Sequence, residues 1–433
     1  NTTLLILQQS TITNVTGSLD VGDYTGDGKM DMLIFGGRIY NGNTVDLTSA
    51  LLEKATNGWT QQNAGSAVIP NFGTSHFYDI NDDHRIDVYQ HGYVFGDDEY
   101  KTQVFLNNGD KTFTEVTNTF TTKGLNIAET WDYDRDNDID YYVSQPGAAG
   151  MSVFRNNGMD GFEQNTTLGS CCDNTLVPGD FDRDGDEDVI HYNPTSNYFT
   201  LSLNQDGAMH PNVNFHVSGG RMQRLDYNGD GWPDLLFIAE SGFNVKSMLS
   251  KNLGLDASGI IQFKIIKHDL PAGEVTSNAA DYDHDGDLDI FFTGEPCAMF
   301  NNLGNDVFKE ISIPDFSVGM NNTRWVDFDA DGDLDLFMMG YFTVNNAEGI
   351  DQPYGYVLNN QLIVAGNGIA NQAPPAPDNL TYHQDTEGLH LAWDGHADDH
   401  TPIDALSYDV VIYKDGKEIL KGMFDPVNGL RHK

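Results

Sequence analysis

DFDADGDLD, residues 327–335, sets carboxylates at every odd position of a nine-residue segment and then runs straight into Leu-Phe-Met-Met. The spacing D-x-[D/N/T]-x-D-x-x-x-D recurs seven times, beginning at Asp23, Asp79, Asp132, Asp180, Asp226, Asp281 and Asp327, with consecutive starts 46 to 56 residues apart. A period of that length marks a repeated supersecondary unit. Positions 1, 5 and 9 are aspartate in every copy: Asp23, Asp27 and Asp31; Asp79, Asp83 and Asp87; Asp132, Asp136 and Asp140; Asp180, Asp184 and Asp188; Asp226, Asp230 and Asp234; Asp281, Asp285 and Asp289; Asp327, Asp331 and Asp335. Position 3 is Asp134, Asp182, Asp283 or Asp329 in four copies and Thr25, Asn81 or Asn228 in the others.

All of these side chains offer oxygen. Calcium takes roughly six to eight oxygen ligands in loose geometry, whereas zinc selects His and Cys, so the pattern predicts calcium, with up to seven sites. Position 6 is Gly28, Gly185, Gly231, Gly286 or Gly332 in five copies, as a left-handed turn requires; Asn137 and His84 stand there in the third and second. Asp, Asn and Gly also form ordinary solvated turns. Turn formation alone does not demand carboxylates at positions 1, 5 and 9 in every copy. Without an ion these carboxylates repel one another, so cation binding and folding are expected to be coupled.

An EF-hand loop runs twelve residues between helices, but here position 9 opens short β-rich apolar runs, as in Asp31-Met-Leu-Ile-Phe35 and Asp234-Leu-Leu-Phe-Ile238. Further on, VFLNNGDKTFTEV at 104–116, VFRNNGMDGFEQ at 153–164 and MFNNLGNDVFKEI at 299–311 read as strand, Asn/Gly hairpin turn and strand. Four short antiparallel strands per period predict an all-β fold, a seven-bladed propeller. The N-terminal stretch Thr2–Gln8 is predicted to complete the seventh blade, with Gln361–Ala365 as the alternative closing segment.

Over residues 1–365 these repeats resemble FG-GAP/VCBS repeats, the calcium-loop blades of the integrin α-chain head, of many secreted bacterial proteins and of some lectins. The resemblance implies that the side chains at positions 1, 3, 5 and 9 ligate the ion together with the backbone carbonyl of position 7, here Lys29, Arg85, Asp138, Asp186, Trp232, Asp287 or Asp333. Thr25 and His84 depart from that pattern.

Residues 366–376 include the proline-rich Asn371-Gln-Ala-Pro-Pro-Ala-Pro377 and read as a stiff linker. In 377–433, LTYHQDTEGLHLAWDG and LSYDVVIYKDGKEI alternate with period two and resemble the first part of a fibronectin type III domain, an incomplete β-sandwich at this length.

Charge bounds the partners. Asp and Glu number 65 against 23 Lys and Arg, a formal charge of −42, and no basic patch is present to displace nucleic-acid counterions. Nucleic acid and anionic lipid are therefore excluded as expected partners. No apolar run reaches the ~18 residues of a membrane-spanning helix. Weak calcium modules, with dissociation constants of about 10⁻⁴–10⁻³ M, suit an extracellular or cell-surface location. Cys171, Cys172 and Cys297 are expected to be buried thiols rather than a disulfide framework.

No G-x-S-x-G elbow, H-E-x-x-H, P-loop or C-x-x-C occurs in the sequence. Binding residues concentrate on loops held by a rigid scaffold. The connections between second and third strands vary: Gly92–Lys101, Gln145–Gly150, Asn193–Asn197, Glu240–Val245, Gly294–Cys297 and Gly340–Gly355. Tyr93, Phe95, Tyr198, Phe243, Tyr341, Phe342 and Tyr354 are the candidate ligand-binding aromatics on or beside them. The expectation is a calcium-stabilised binding or scaffold module for a protein or a neutral glycan, possible as a subunit of a cell-surface complex. The alternative is a carbohydrate-active lyase or hydrolase built on the same propeller.

Overall fold

The computed structural model describes residues 5–13, 18–41, 44–55, 58–62, 72–81, 83–94, 99–116, 127–133, 139–144, 151–157, 162–168, 176–185, 187–193, 198–205, 208–217, 220–239, 246–272, 276–294, 296–314, 316–329, 331, 333–344, 353–361, 375–384, 389–396, 410, 412–414 and 417–420. Seven four-stranded antiparallel sheets are arranged as propeller blades, six of them simple meanders in chain order. In blade five, for example, the strands are Gly220–Leu225, Asp234–Ala239, Ser247–Leu255 and Ile261–Leu270. Every second strand begins on the position-9 aspartate, from Asp31–Asn41 in blade one to Asp335–Val344 in blade seven. The acidic loop thus joins first strand to second in all seven blades.

Blade seven is built differently. Its strands Phe316–Val326, Asp335–Val344 and Pro353–Asn360 are joined by the N-terminal Leu5–Thr13, which pairs antiparallel with the third strand, Leu5 opposite Asn360 and Leu7 opposite Leu358. The ring is closed by its own N-terminus, as predicted, rather than by the segment after Asn360. Leu5 is buried against Phe316, Leu336 and Leu358. Leu5→Ala should cost about 2–4 kcal/mol by leaving a cavity at the closure. Equilibrium urea unfolding reads this as a lowered midpoint.

The core is divided among the blade junctions. Seven apolar clusters are found among the described residues, and each draws on two neighbouring blades. Tyr89 of blade two stacks on Tyr141 of blade three with ring centroids 4.3 Å apart. Leu19, Met32 and Ile34 of blade one pack with Phe337, Met339 and Val357 of blade seven, so the last junction is as apolar as the others. Each strand alternates side chains between its two neighbouring blades, and both sheet faces are therefore buried. Trp325, two residues before the seventh acidic loop, lies partly buried against one such cluster.

Within 377–433 the described residues form two separate hairpins, Asp378–Gln384 with Leu389–Asp394 and Ile412–Lys414 with Lys417–Leu420. The rest of the expected sandwich, like most of the linker, lies outside the described residues. Among the described residues no helix is long and apolar enough to cross a membrane. Cys297 is a buried thiol with its Sγ 3.7 Å from the Gly294 carbonyl; Cys171 and Cys172 fall outside the described residues.

Candidate metal sites

Each acidic loop is first a hydrogen-bonded turn. The position-1 carboxylate accepts from the backbone N–H of position 5 at 3.0–3.1 Å in loops one, two, five, six and seven. Its other oxygen accepts from position 6 at 2.7–3.0 Å in loops one, two, four, five and six. This wrap requires a left-handed backbone at position 6, where Gly28 has φ 83°; His84 takes the same conformation at φ 63°. The histidine is therefore strained, and the second loop keeps its shape despite it.

Position 9 does something the spacing alone did not disclose. In all seven blades its Oδ1 accepts the backbone N–H of a third-strand residue at 2.7–2.9 Å: Lys54, Asn107, Asn156, Asn204, Asn252, Asn302 or Asn360. Its Oδ2 accepts the N–H of position 2 at 2.7–3.3 Å in loops two, three, four, six and seven. The side chain clips the loop to the third strand. All seven of these aspartates are fully buried. Burial, partly offset by the donated N–H groups, pushes six of these carboxyls upward: Asp31 to about 6, Asp188 to about 7, Asp87, Asp234 and Asp335 to about 8, and Asp289 to about 9.

The third-strand asparagine carries the link onward. Its Nδ2 donates to the position-2 carbonyl of the preceding blade: Asn107 to Tyr24 at 2.8 Å, Asn156 to Ile80 at 3.0 Å, Asn252 to Phe181 at 2.9 Å, Asn302 to Tyr227 at 2.8 Å and Asn360 to Tyr282 at 2.6 Å. At the closing junction blade one has Lys54 instead, whose ammonium donates to the Phe328 carbonyl of blade seven and lies over the rings of Trp59 and Phe328. Sequence reasoning assigned these asparagines to hairpin turns alone. The turn role is real, since Asn107, Asn252 and Asn302 each accept the N–H of the glycine two residues on. The signal was the recurrence of Asn-x-Gly after every third strand of that type. Asn252→Ala strands a buried carbonyl and should cost about 1–3 kcal/mol in denaturant unfolding.

The remaining oxygens form the candidate cation sites. Oxygens of Asp180, Asp182 and Asp188, of Asp281, Asp283 and Asp285, and of Asp327, Asp329 and Asp335 converge within 4.8 Å of one another in loops four, six and seven. Asp180 Oδ1, Asp234 Oδ2, Asp283 Oδ1 and Asp331 Oδ2 are buried atoms with no hydrogen-bond donor, a donor set that suits a hard cation. Burial and the neighbouring carboxylates raise Asp283 and Asp331 to about 6, and raise Asp180, Asp182 and Asp281 in the same direction. An all-oxygen set under mutual repulsion fits a divalent ion of the calcium type. Asp134, Asp136, Asp138 and Asp186 lie outside the described residues.

In loops one and two the position-7 side chains fold back on position 5, Lys29 Nζ 2.6 Å from Asp27 Oδ2 and Arg85 paired with Asp83. In loop five Lys251, from the third strand, sits 2.8 Å from Asp230 Oδ2. The second-to-third-strand connections lie on the rim opposite the acidic loops, as an antiparallel meander dictates. Tyr198 opens the third strand of blade four and meets His216 edge-on at 5.0 Å. Tyr93, Tyr341, Phe342 and Tyr354 prove to be strand residues, because the strands of blades two and seven extend to Val94 and Val344 and restart at Glu99 and Pro353. Those two connections are shorter than read from the sequence: β-rich stretches continue the ladder past Gly92 and Gly340. Phe95 and Phe243 lie outside the described residues.

Fold and loops together define an acidic-loop type of propeller blade, repeated around a closed ring. Residues 226–292, which span the loops of blades five and six, match the family model described as FG-GAP-like repeat. No curated protein sequence matches the chain. Among solved structures, a lectin of Agrocybe aegerita whose title concerns recognition of non-reducing terminal N-acetylglucosamine is similar over 69% of this chain and 79% of its own, at 18% identity and TM-score 0.49. YCF48 from Cyanidioschyzon merolae is similar over 82% and 98%, at 9% identity and TM-score 0.45. The V. cholerae biofilm matrix protein Bap1 is similar over 82% and 91%, at 11% identity and TM-score 0.42.

Proposed function

We propose that this chain is a calcium-rigidified binding and scaffold module, secreted or displayed on a cell surface, that holds a protein or neutral glycan on one rim of its propeller. The observation that carries the reading is the division of labour between rims. One rim repeats a stereotyped acidic turn in which several buried oxygens lack donors, and the other presents connections that differ from blade to blade. A rigid ring with variable loops is the arrangement in which recognition is placed on loops and order is supplied by the scaffold. Calcium at the weak affinities of extracellular modules would be retained where external calcium is millimolar. The residues it would engage are the position 1, 3, 5 and 9 side chains, and its charge would offset the repulsion among them. Residues 377–433 would serve as a fibronectin-like spacer or further contact.

The test is an array of neutral glycans together with purified surface-protein extract, probed with the full chain in millimolar calcium and again in EDTA. Calcium-dependent retention of an intact glycan or protein supports the module. Cleavage of the retained glycan would replace it with the lyase or hydrolase reading, and no retention on either would end it.

A further inference from the structure

We propose that six of the seven acidic loops fall into two classes, with Lys29, Arg85 and Lys251 acting as built-in counter-ions that make loops one, two and five the weak calcium sites and leave loops four, six and seven to fill first. This rests on the calcium reading above. Among the described residues, the three loops that lack an aspartate at position 3 are the three in which a basic side chain pairs with the position-5 carboxylate: Lys29 with Asp27, Arg85 with Asp83, Lys251 with Asp230. Loop five draws a second cation, since Arg183 Nη1 of blade four lies 3.4 Å from the Asp230 carbonyl.

The other class is built the opposite way. In loops six and seven the third-strand residue equivalent to Lys251 is Asn301 or Asn359, whose neutral amide donates to the position-3 carboxylate at 2.6 or 2.8 Å and adds no charge. Buried carboxylate oxygens without a donor occur in loops four, six and seven, at Asp180, Asp283 and Asp331, and also in loop five at Asp234, so the counter-ions and position 3, not these atoms, divide the classes. Lys54 stands near loop seven, but its ammonium is directed at the Phe328 carbonyl. A divalent ion entering loop one, two or five must displace an ammonium or guanidinium from a ligand oxygen and meets one fewer carboxylate. A unit charge a few ångströms from a divalent ion at a solvated site changes affinity about tenfold.

The experiment is calorimetric calcium titration of the full chain, comparing K251M with K267M, which removes the same charge from a lysine paired with Asp269 away from any loop. The expected isotherm has a strong and a weak class. K251M should transfer one site from weak to strong with about a tenfold gain, and K267M should leave both classes in place. Lys29 is exposed, so K29M repeats the test in loop one without endangering the fold. A single class of sites, or K251M and K29M indistinguishable from K267M, overturns the two-class assignment while leaving calcium binding intact. No calcium heat in any of the proteins overturns the calcium reading itself.

Discussion

Removing divalent ions with EDTA at about pH 8 should lower the thermal midpoint by about 5–15 °C, and added calcium should restore it. An ion bound only to the folded state stabilises by RT ln(1 + [L]/Kd), roughly 1–3 kcal/mol per site for ligand at 10 to 100 times Kd. Several sites acting on a chain of this size give a shift of that order. The pH dependence carries its own sign. Burial pushes the carboxyls of Asp31, Asp87, Asp188, Asp234, Asp289 and Asp335 up to about 6 to 9 in the folded, ion-free chain, against an ordinary 3.8. Between those values the folded chain retains protons that the unfolded chain has released, so ion-free stability falls as pH rises from about 4 to about 8. Each pH unit contributes at most about 1.4 kcal/mol per such group. Calcium replaces those protons, and its stabilising effect should therefore be larger at about pH 8 than at about pH 5. Differential scanning fluorimetry in four buffers measures both; midpoints that ignore EDTA at either pH would remove the ions from the account.

The second large effect is Asp289→Ala, expected to cost about 2–5 kcal/mol even in EDTA. Asp289 is fully buried, and its two oxygens accept from Asn302 at 2.7 Å and Tyr282 at 3.3 Å. Truncation leaves both N–H groups unpaired inside the protein, at about 1–3 kcal/mol each. It also loosens Asn302, whose side chain reaches the Tyr227 carbonyl of blade five. Asp285, four residues before Asp289 and exposed, is the contrast. Asp285→Ala should cost under about 1 kcal/mol in EDTA and show its effect only when calcium is present. Urea unfolding of both variants with and without calcium separates clip from ligand, and equal costs in EDTA would show that position 9 has no structural role of its own.

Much of this was readable in one dimension because the determinants are local. Position 9 opening an apolar run, glycine at position 6 and Asn-x-Gly after the third strand all act within a few residues. Their recurrence revealed the number of blades and the type of turn. Even ring closure was legible, since Thr2–Gln8 reads as a short apolar strand and blade seven lacked its outermost one. The aromatics fared less well. Tyr341 and Phe342 looked like loop residues after Gly340, yet the ladder opposite Gly319 and Val318 carries them into the second strand of blade seven. Strand ends depend on the partner's length, which periodicity does not encode.

The amino-acid order by itself determined an all-β ring of seven acidic-loop units, because backbone conformation and side-chain alternation are properties of neighbouring residues. Only the tertiary structure decided which oxygen serves which purpose. Asp289 as clip, Asn302 as stitch to Tyr227, Lys54 as the stitch at closure and Lys251 as counter-ion to Asp230 all join groups far apart in the chain. The two stitches exist only once burial has fixed two blades side by side, and the clip and the counter-ion only once the third strand has paired beside the second; no local rule of spacing contains those distances.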